Sequence, residues 1–353
     1  MRVARAVGLG VLLAVPLLLV FGSLFAAADR VFGNVVENLF AFDPAAVVSH
    51  TFAIAFWTAL TAGYLRWSLL ARPVGAGAAA LAEARPGVGI VPVGTALGLL
   101  TVLFLVFDVV QLRYFFGGAD LVQQTTGLTY AEYARAGFQQ LVTASALVLP
   151  VLLGADYLLR HETPGHVAVF RRIAGVLLGL LAVIMVSAFQ RVRLYVAAFG
   201  LSEVRLYSTA FMILLAAVFA WLAATVLRGR RHWFALGALL ESFVVLGGLH
   251  VLNPDRFIVR TNLARPTAVQ AFDAKYALSL GADAVPPLLD ALPQLDDATR
   301  CTVASGLLSR WGAGASGDWR SWNWSRGRAR RLVTQRGDAL RALTCPVPTK
   351  AAS

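Results

Sequence analysis

The stretch QRVRLYVAAFGLSEVRLY, residues 190–207, decides the fold, because it joins two strongly apolar segments. It carries Arg191, Arg193, Glu203 and Arg205 within a turn or two of those segments. Charges so close to hydrocarbon are costly and rare, and they mark either functional sites or structural ion pairs. The stretch, called the 190–207 hairpin below, therefore predicts two membrane-spanning helices and a polar connection between them.

Composition places the whole chain in a membrane. Of its 353 residues, 58% are hydrophobic and only 14% are charged, whereas soluble domains carry about 25% charged residues. The sequence thus predicts an all-α polytopic transmembrane helical bundle. The net charge of +12 raises the possibility of nucleic-acid binding, but no recognition motif accompanies it. Topology and lipid headgroups explain the basic residues better, so we expect the lipid bilayer, and no nucleic acid, as a partner.

Seven apolar segments have the length of ~20 residues that a spanning helix needs. Six or eight spans stay open as alternatives. A flexible link is expected at 71–87, and a loop with a turn at Gly117 and Gly118 is expected before the capping box Thr129–Glu132. The segments are Val7–Ala28, His50–Leu70, Ile90–Val110, Thr129–Leu153, Ile173–Phe189, Ser208–Leu227 and Phe234–Leu252.

Orientation follows from the arginines of the short loops, which concentrate on the cytoplasmic side. With a cytoplasmic N-terminus, eleven lie inside and six outside. The inside set is Arg2, Arg5, Arg66, Arg72, Arg85, Arg160, Arg171, Arg172, Arg228, Arg230 and Arg231, and the outside set is Arg30, Arg113, Arg135, Arg191, Arg193 and Arg205. Seven spans then leave the C-terminal region outside the cytosol.

The composition changes at Asn253, so we expect a transmembrane bundle over 1–252 and a helical, extracytoplasmic region over 253–353. Helices are predicted from Pro266 to Gly281, through Pro286 and Pro287, from Asp296 or Asp297 to Trp311, and near 326–343. Before the last helix, Trp319, Trp322 and Trp324 alternate with arginines, which favours contact with anionic headgroups over a small tryptophan core.

Two cysteines, Cys301 and Cys345, follow the last apolar segment. Neither a CxxC pattern nor a Cys/His cluster is present, so metal or redox work is not indicated. If the C-terminal region lies outside the cytosol, a disulfide between these two cysteines is possible.

Several pieces of the chain resemble a family of bacterial membrane proteins known as domain of unknown function 4173. The pieces are LLAVPLLLVFGSLFAAADRVF, QLRYFFGG, LTYAEYARAGF, RLYVAAFGLSEVRLY, LNPDRFIVRTN, LGADAVPPLL and DWRSWNWSRGRARR. They extend over nearly the whole chain. The resemblance implies a multi-pass protein of the bacterial cytoplasmic (inner) membrane, and it brings no established activity and no catalytic residues.

Polar residues gather at the predicted outer end of the bundle. One interpretation is a basic pocket for a phosphate or carboxylate, because arginine donates paired hydrogen bonds to such groups. The other is a set of structural ion pairs and interface anchors at helix ends. The set comprises His50, Asp108, Gln111, Arg113, Arg191, Arg193, Glu203, Arg205, His250, Asn253, Asp255 and Arg256.

Glu241 lies about eight residues into the last apolar segment, where an ionised carboxylate is expensive. It is a candidate relay group, a partner for an arginine, or a neutral hydrogen-bonded acid. No HExxH motif, Walker loop or dinucleotide fingerprint is present, so no catalytic residue, metal site or cofactor is predicted.

Two function classes follow. The first is a non-enzymatic envelope protein that binds an anionic ligand or a membrane-protein partner at the basic outer pocket. The second is a secondary transporter in which Glu241, Asp108 and the arginines line a path. Transporters favour internal repeats and interrupted helices, and neither is evident, so the first class is preferred and an enzyme comes third.

Overall fold

The computed structural model describes residues 2–39, 61, 88–126, 137–159, 164–265, 271–312 and 323–343. These residues form helices, with one isolated bridge between Val88 and Leu159 and no strands among them. The α-helices are α1 (Arg2–Ala28), α2 (Arg30–Leu39), α3 (Ile90–Thr126), α4 (Phe138–Leu158), α5 (Pro164–Phe199), α6 (Glu203–Thr225), α7 (Phe234–Leu252), α8 (Pro254–Leu263), α9 (Ala274–Ser279), α10 (Val285–Ala291), α11 (Asp297–Trp311), α12 (Trp324–Gln335) and α13 (Gly337–Arg341).

The chain is an integral, multi-pass membrane protein, as its composition predicts. Within the described ranges, six helices are long and apolar enough to cross a bilayer. They correspond to six of the seven predicted segments, and the remaining segment, His50–Leu70, lies outside the described residues except for Thr61. The spans are Val3–Ala28, Ile90–Gln111, Phe138–Leu158, Pro164–Phe199, Glu203–Arg228 and Arg231–Leu252.

Two helices, α3 and α5, are longer than the sequence predicts. α3 continues to Thr126, so the expected turn at Gly117 and Gly118 is helical instead. Glycine costs a helix interior only about 1 kcal/mol, and no proline interrupts this stretch. α5 is 36 residues long and extends beyond the apolar segment at both ends. The link at 71–87 and the capping box Thr129–Glu132 lie outside the described residues.

The contacts divide the chain into two compact units. Unit 1 comprises Met1–Leu194 and Phe211–Ser242, and unit 2 comprises Tyr195–Ala210 and Phe243–Ser353. The sequence places its boundary at 252/253, on composition alone. Whether 1–252 and 253–353 are independent domains stays a prediction.

The core of unit 1 is built on aromatic packing between α1 and α3. Phe25 and Phe107 stack with ring centroids 4.0 Å apart, and Phe104 meets Phe25 edge-on at 4.9 Å. All three side chains are fully buried. Such ring pairs add about 0.5–1.5 kcal/mol beyond their area burial. They fix one face of α3 against the first helix.

Unit 2 is a small helical assembly with clear N-terminal caps. Asn253, Asp273, Asp296 and Asn323 each accept a hydrogen bond from a backbone N–H in the first turn of the helix that follows. The cap at Asp296 and the end of α11 at Trp311 confirm the sequence prediction.

Leu201 and Leu206 of the 190–207 hairpin are buried in the core of unit 2, with Ile258 and Val259 of α8. The hairpin connection and the start of the C-terminal region therefore share one hydrophobic core.

Candidate functional site

The connection in the 190–207 hairpin is held by side chains of the C-terminal helices. Gly200 ends α5 with a φ of +82°, a conformation that glycine adopts without steric cost. Leu201 N donates to Asn262 Oδ1 at 2.7 Å, and Asn262 Nδ2 donates to Leu201 O at 2.8 Å. The N–H of Glu203 donates to the Tyr276 hydroxyl at 2.8 Å. The connection is thus a fixed element of unit 2.

Two arginines cover the C-terminal end of α5. Arg265 Nη2 donates to the carbonyls of Ala197 and Ala198 at 2.7 and 3.1 Å. Arg205 Nη1 donates to the carbonyls of Phe199 and Gly200. The last carbonyls of a helix lack partners within it and carry partial negative charge. Both guanidinium groups are therefore drawn to the same place by the end of α5.

A polar pocket of about 200 Å³ lies beside these arginines, within unit 2. Arg205 and Arg265 supply two positive charges, and Asp273 supplies one negative charge. Asp273 is already engaged, because its carboxylate accepts from Tyr276 N at 2.9 Å. The lining consists of Phe199, Leu201, Ser202, Arg205, Asn262, Arg265, Ala271, Phe272, Asp273 and Tyr276.

The guanidinium groups keep donors for a ligand. A guanidinium has five N–H donors, and the hydrogen bonds to α5 use only Nη1 of Arg205 and Nη2 of Arg265. Within the described part of the chain, no acceptor engages Nε or Nη2 of Arg205, nor Nε or Nη1 of Arg265. Arg205 is also fixed over the Tyr195 ring, with its Cζ 4.0 Å from the ring centroid. The pocket thus offers oriented positive charge.

Burial raises the pKa of the Tyr276 hydroxyl above its usual value of 10.0, whereas the Glu203 N–H and the charge of Arg205 oppose that rise. The hydroxyl is therefore protonated at neutral pH. It accepts the Glu203 N–H and keeps its own proton to donate. A phenol adds a neutral donor to the pocket beside the two arginines.

The predicted site residues of unit 1 do not line this pocket. Arg191 is 5% exposed and its Nη2 lies 3.7 Å from Oδ2 of Asp29, which is 2% exposed. Arg191 Nη1 also donates to the carbonyl of Ala28 at 3.2 Å. Asp29 caps α2 by accepting from the N–H groups of Val31 and Phe32. For Arg191, the structural ion pair is the interpretation that the geometry favours.

The other predicted residues of unit 1 are scattered. Arg193 is exposed on α5, and Asp108 and Gln111 are buried on α3. Glu241 is half-buried on α7, and its Oε2 atom is buried with no hydrogen-bond partner in the described residues. The backbone of Arg113 is part of α3, but its side chain is not described. His50 lies outside the described residues.

In unit 2, the predicted residues other than Arg205 lie outside the pocket. Asp255 Oδ2 accepts from Gly281 N at 3.0 Å, and Arg256 is half-buried with no partner for its Nε among the described residues. His250 and Glu203 are exposed, and the side chain of Asn253 caps α8. The predicted residues thus do not converge on one pocket within either unit.

Cys301 is in a disulfide bond. The only other cysteine of the sequence, Cys345, lies outside the described residues, as do Trp319 and Trp322. The pairing of Cys301 with Cys345 stays a prediction. Trp324 is exposed, and Arg331 lies over its ring at 5.6 Å.

Sequence reasoning missed Asn262, Arg265, Tyr276 and Asp29. The signal for α8 was present, because Asn253 followed by Pro254 is a typical cap with proline in the first turn. A helix that begins there places Asn262 and Arg265 at its end. The partners of Arg265 and Tyr276 lie more than sixty residues away, and no local pattern identifies them.

Comparison with known proteins identifies an uncharacterised family. The family model described as Domain of unknown function (DUF4153) matches residues 1–291. The sequence motifs suggested a different family, domain of unknown function 4173, so that family assignment is not supported. The expectation of an uncharacterised domain family is confirmed. No curated protein and no solved structure matches the chain.

Proposed function

The chain belongs to the family described as Domain of unknown function (DUF4153), and we propose that it is a non-enzymatic membrane protein that binds an anionic group. The binding site is the pocket of unit 2 beside Arg205 and Arg265, and the group is a phosphate or carboxylate of a small ligand or a protein partner. One observation carries the proposal: two guanidinium groups, fixed by the end of α5, line the same polar pocket.

The chemistry of the donors supports an anion over a cation or a neutral ligand. Paired N–H donors of arginine match the geometry of phosphate and carboxylate oxygens. The Tyr276 hydroxyl and the Asn262 amide lie in the same lining and restrict how an anion is oriented. Asp273 opposes binding, but two positive charges outweigh it. The pocket volume of about 200 Å³ suits a single phosphate or carboxylate group.

We propose that the protein lies in the cytoplasmic membrane of a bacterium and that this pocket is on the side away from the cytosol. The arginine distribution favours a cytoplasmic N-terminus, and seven spans then put unit 2 outside. The disulfide at Cys301 supports the same side, because disulfides persist in oxidising compartments. The resemblance of the sequence motifs to bacterial membrane proteins supports the bacterial origin.

The experiment is a titration of the full chain, in nanodiscs of zwitterionic lipid, with inorganic phosphate at constant ionic strength. A ligand that binds only the folded state stabilises it by about 2.7 kcal/mol at one hundred times its dissociation constant. We expect phosphate to raise the melting temperature of the wild type. Arg265→Gln should abolish that increase, and Tyr276→Phe should weaken it.

Arg260→Gln is the matched control, because Arg260 is exposed on the same helix, α8, and has no acceptor among the described residues. It removes the same charge and should leave the phosphate response intact. Circular dichroism checks that Arg265→Gln remains folded. A wild type that ignores phosphate, or an Arg265→Gln variant that responds like the wild type, would refute the proposal.

Secondary transport is a second candidate, supported by the intramembrane carboxylate of Glu241. Its buried Oε2 atom has no hydrogen-bond partner in the described residues, as expected of a relay group. Transport predicts substrate uptake into proteoliposomes that Glu241→Gln abolishes. Equal uptake by the wild type and the variant would count against a role of this carboxylate.

A further inference from the structure

A second polar cluster lies inside the membrane-spanning part of unit 1, apart from the pocket of unit 2. It consists of Asp108 and Gln111 on α3 and Ser187 on α5. Their side chains are 3%, 5% and 6% exposed, respectively. All three fall within candidate membrane spans. A carboxyl group in such a place needs a physical explanation.

The sequence of α3 places Asp108 on its buried face. Leu97, Leu100, Phe104, Phe107 and Gln111 recur with helical spacing and are all buried. Asp108 is on the same face, whereas its neighbours Val106 and Val109 are exposed. The carboxyl group is therefore directed to the core of unit 1 and away from lipid.

Across from α3, the buried face of α5 supplies the second half of the cluster. Ser187 Oγ donates to Gln111 Oε1 at 2.6 Å. This bond joins the spanning helices α3 and α5, and its Gln111 end lies one helical turn after Asp108. The Nε2 atom of Gln111 and both carboxyl oxygens of Asp108 are buried and have no hydrogen-bond partner in the described residues.

No described cation neutralises Asp108. The charged groups on neighbouring elements are engaged elsewhere or exposed. Arg191 on α5 is paired with Asp29, which lies between α1 and α2, and Asp156 at the end of α4 is paired with Arg231. Arg30 on α2 is exposed. An ionised carboxylate without a partner is far costlier in an apolar interior than its neutral form.

We propose that Asp108 is a proton-binding site of the spanning bundle, whose carboxyl group holds a proton beside the Gln111 carboxamide and the Ser187 hydroxyl. The proton makes the group neutral and gives it a donor. Gln111 offers an amide donor and an oxygen acceptor one turn away on the same face. Loss of the proton leaves an unpaired negative charge between α3 and its neighbours, so proton release loosens the packing of α3.

The proposal is independent of the anion pocket, because its residues and its ligand differ. Infrared spectroscopy of the full chain in nanodiscs tests it directly. A protonated buried carboxyl group gives a C=O band that an ionised carboxylate lacks. We expect this band at neutral pH in the wild type and its loss at alkaline pH. Asp108→Asn should remove it at every pH.

Glu241→Gln is the control for the second intramembrane carboxyl group, and it should keep the Asp108 band. Thermal melting adds an independent measurement: the wild type should lose stability at alkaline pH relative to Asp108→Asn, with the two converging at acidic pH. If Asp108→Asn does not fold, the wild type and Glu241→Gln spectra decide. Absence of a protonated-carboxyl band in Glu241→Gln at neutral pH would overturn the proposal, as would persistence of that band in the double variant Asp108→Asn with Glu241→Gln.

Discussion

Asn262 and Leu201 exchange two hydrogen bonds, as residues of paired strands do. Leu201 N donates to Asn262 Oδ1 at 2.7 Å, and Asn262 Nδ2 returns a bond to Leu201 O at 2.8 Å. A primary amide satisfies both backbone groups of one residue, and Leu201 is buried, so water cannot replace it. The connection between α5 and α6 therefore depends on a side chain sixty-one residues further along the chain.

Asn262→Leu should release this connection. The variant keeps the approximate size of the side chain but leaves a buried donor and a buried acceptor unsatisfied, each at about 1–3 kcal/mol. We expect faster hydrogen exchange at the Leu201 amide and a less stable unit 2. Asn262→Asp keeps the acceptor for Leu201 N and should have a smaller effect on that amide. Equal exchange rates in the wild type and Asn262→Leu would contradict the assignment.

Arg191→Gln should strongly destabilise unit 1. It removes the guanidinium whose Nη2 lies 3.7 Å from Oδ2 of the buried Asp29 carboxylate, and removal of one partner of a buried ion pair costs about 3–5 kcal/mol. Arg193→Gln is the matched control two residues away, because Arg193 is exposed on the same helix. Its effect should stay within about 0.5 kcal/mol. Denaturation in mixed micelles measures both variants.

The pair itself is tested by the double variant Asp29→Asn with Arg191→Gln. If the two charges interact as the 3.7 Å separation indicates, the double variant should be more stable than the sum of the single effects predicts. Additive effects would mean that the charges of Asp29 and Arg191 do not stabilise each other.

Gly137→Ala should destabilise the start of α4. Gly137 has a φ of +77°, and a Cβ atom there would clash with the carbonyl oxygen of Ala28. The same substitution at Gly154, inside α4, meets nothing within 4 Å, and it should be neutral or stabilising by up to about 1 kcal/mol. The melting temperature should fall in Gly137→Ala, and it should stay unchanged or rise in Gly154→Ala. A tolerated Gly137→Ala variant would show that α1 and α4 do not meet so closely.

Much of the fold follows from the sequence, because spanning a bilayer constrains segment length and composition more tightly than folding in water does. Six predicted segments correspond to observed spans, and Asp296 begins α11 as its cap motif predicts. The predicted loop at Gly117 and Gly118 was wrong, because glycine pairs weaken a helix without ending it. Helix α2 was not predicted, although Asp29 is a typical cap.

The candidate site was harder to predict because its members are distant in sequence. Charge near hydrocarbon drew attention to the 190–207 hairpin, and Arg205 lines a polar pocket there. The same reasoning grouped Arg191 with it, although Arg191 is paired with Asp29 in the other unit. Depth in the membrane can be estimated from span boundaries, whereas the direction of a side chain around a helix depends on packing partners that the sequence does not specify.

The pH dependence of unit 2 should show the effect of Asp255. Burial, and secondarily repulsion by Asp283, raises the pKa of this carboxyl group above 3.8, while the Gly281 N–H and Arg310 oppose the rise. The folded state therefore binds the proton more tightly than the unfolded state does. This contribution to stability is complete below the unfolded pKa and is lost as the pH rises through the folded pKa.

Asp255→Asn removes the titration and keeps an acceptor for Gly281 N. The stability of this variant relative to the wild type should therefore increase as the pH rises from about 3 to 7, with melting of unit 2 as the measurement. For Asp296→Asn, we expect the opposite change of stability with pH relative to the wild type. The Thr299 hydroxyl and N–H lower the pKa of Asp296. The stability of the wild type relative to that variant should therefore increase as the pH rises through the lowered pKa. Parallel pH profiles for the two variants would show that the surroundings of Asp255 do not favour its protonated form.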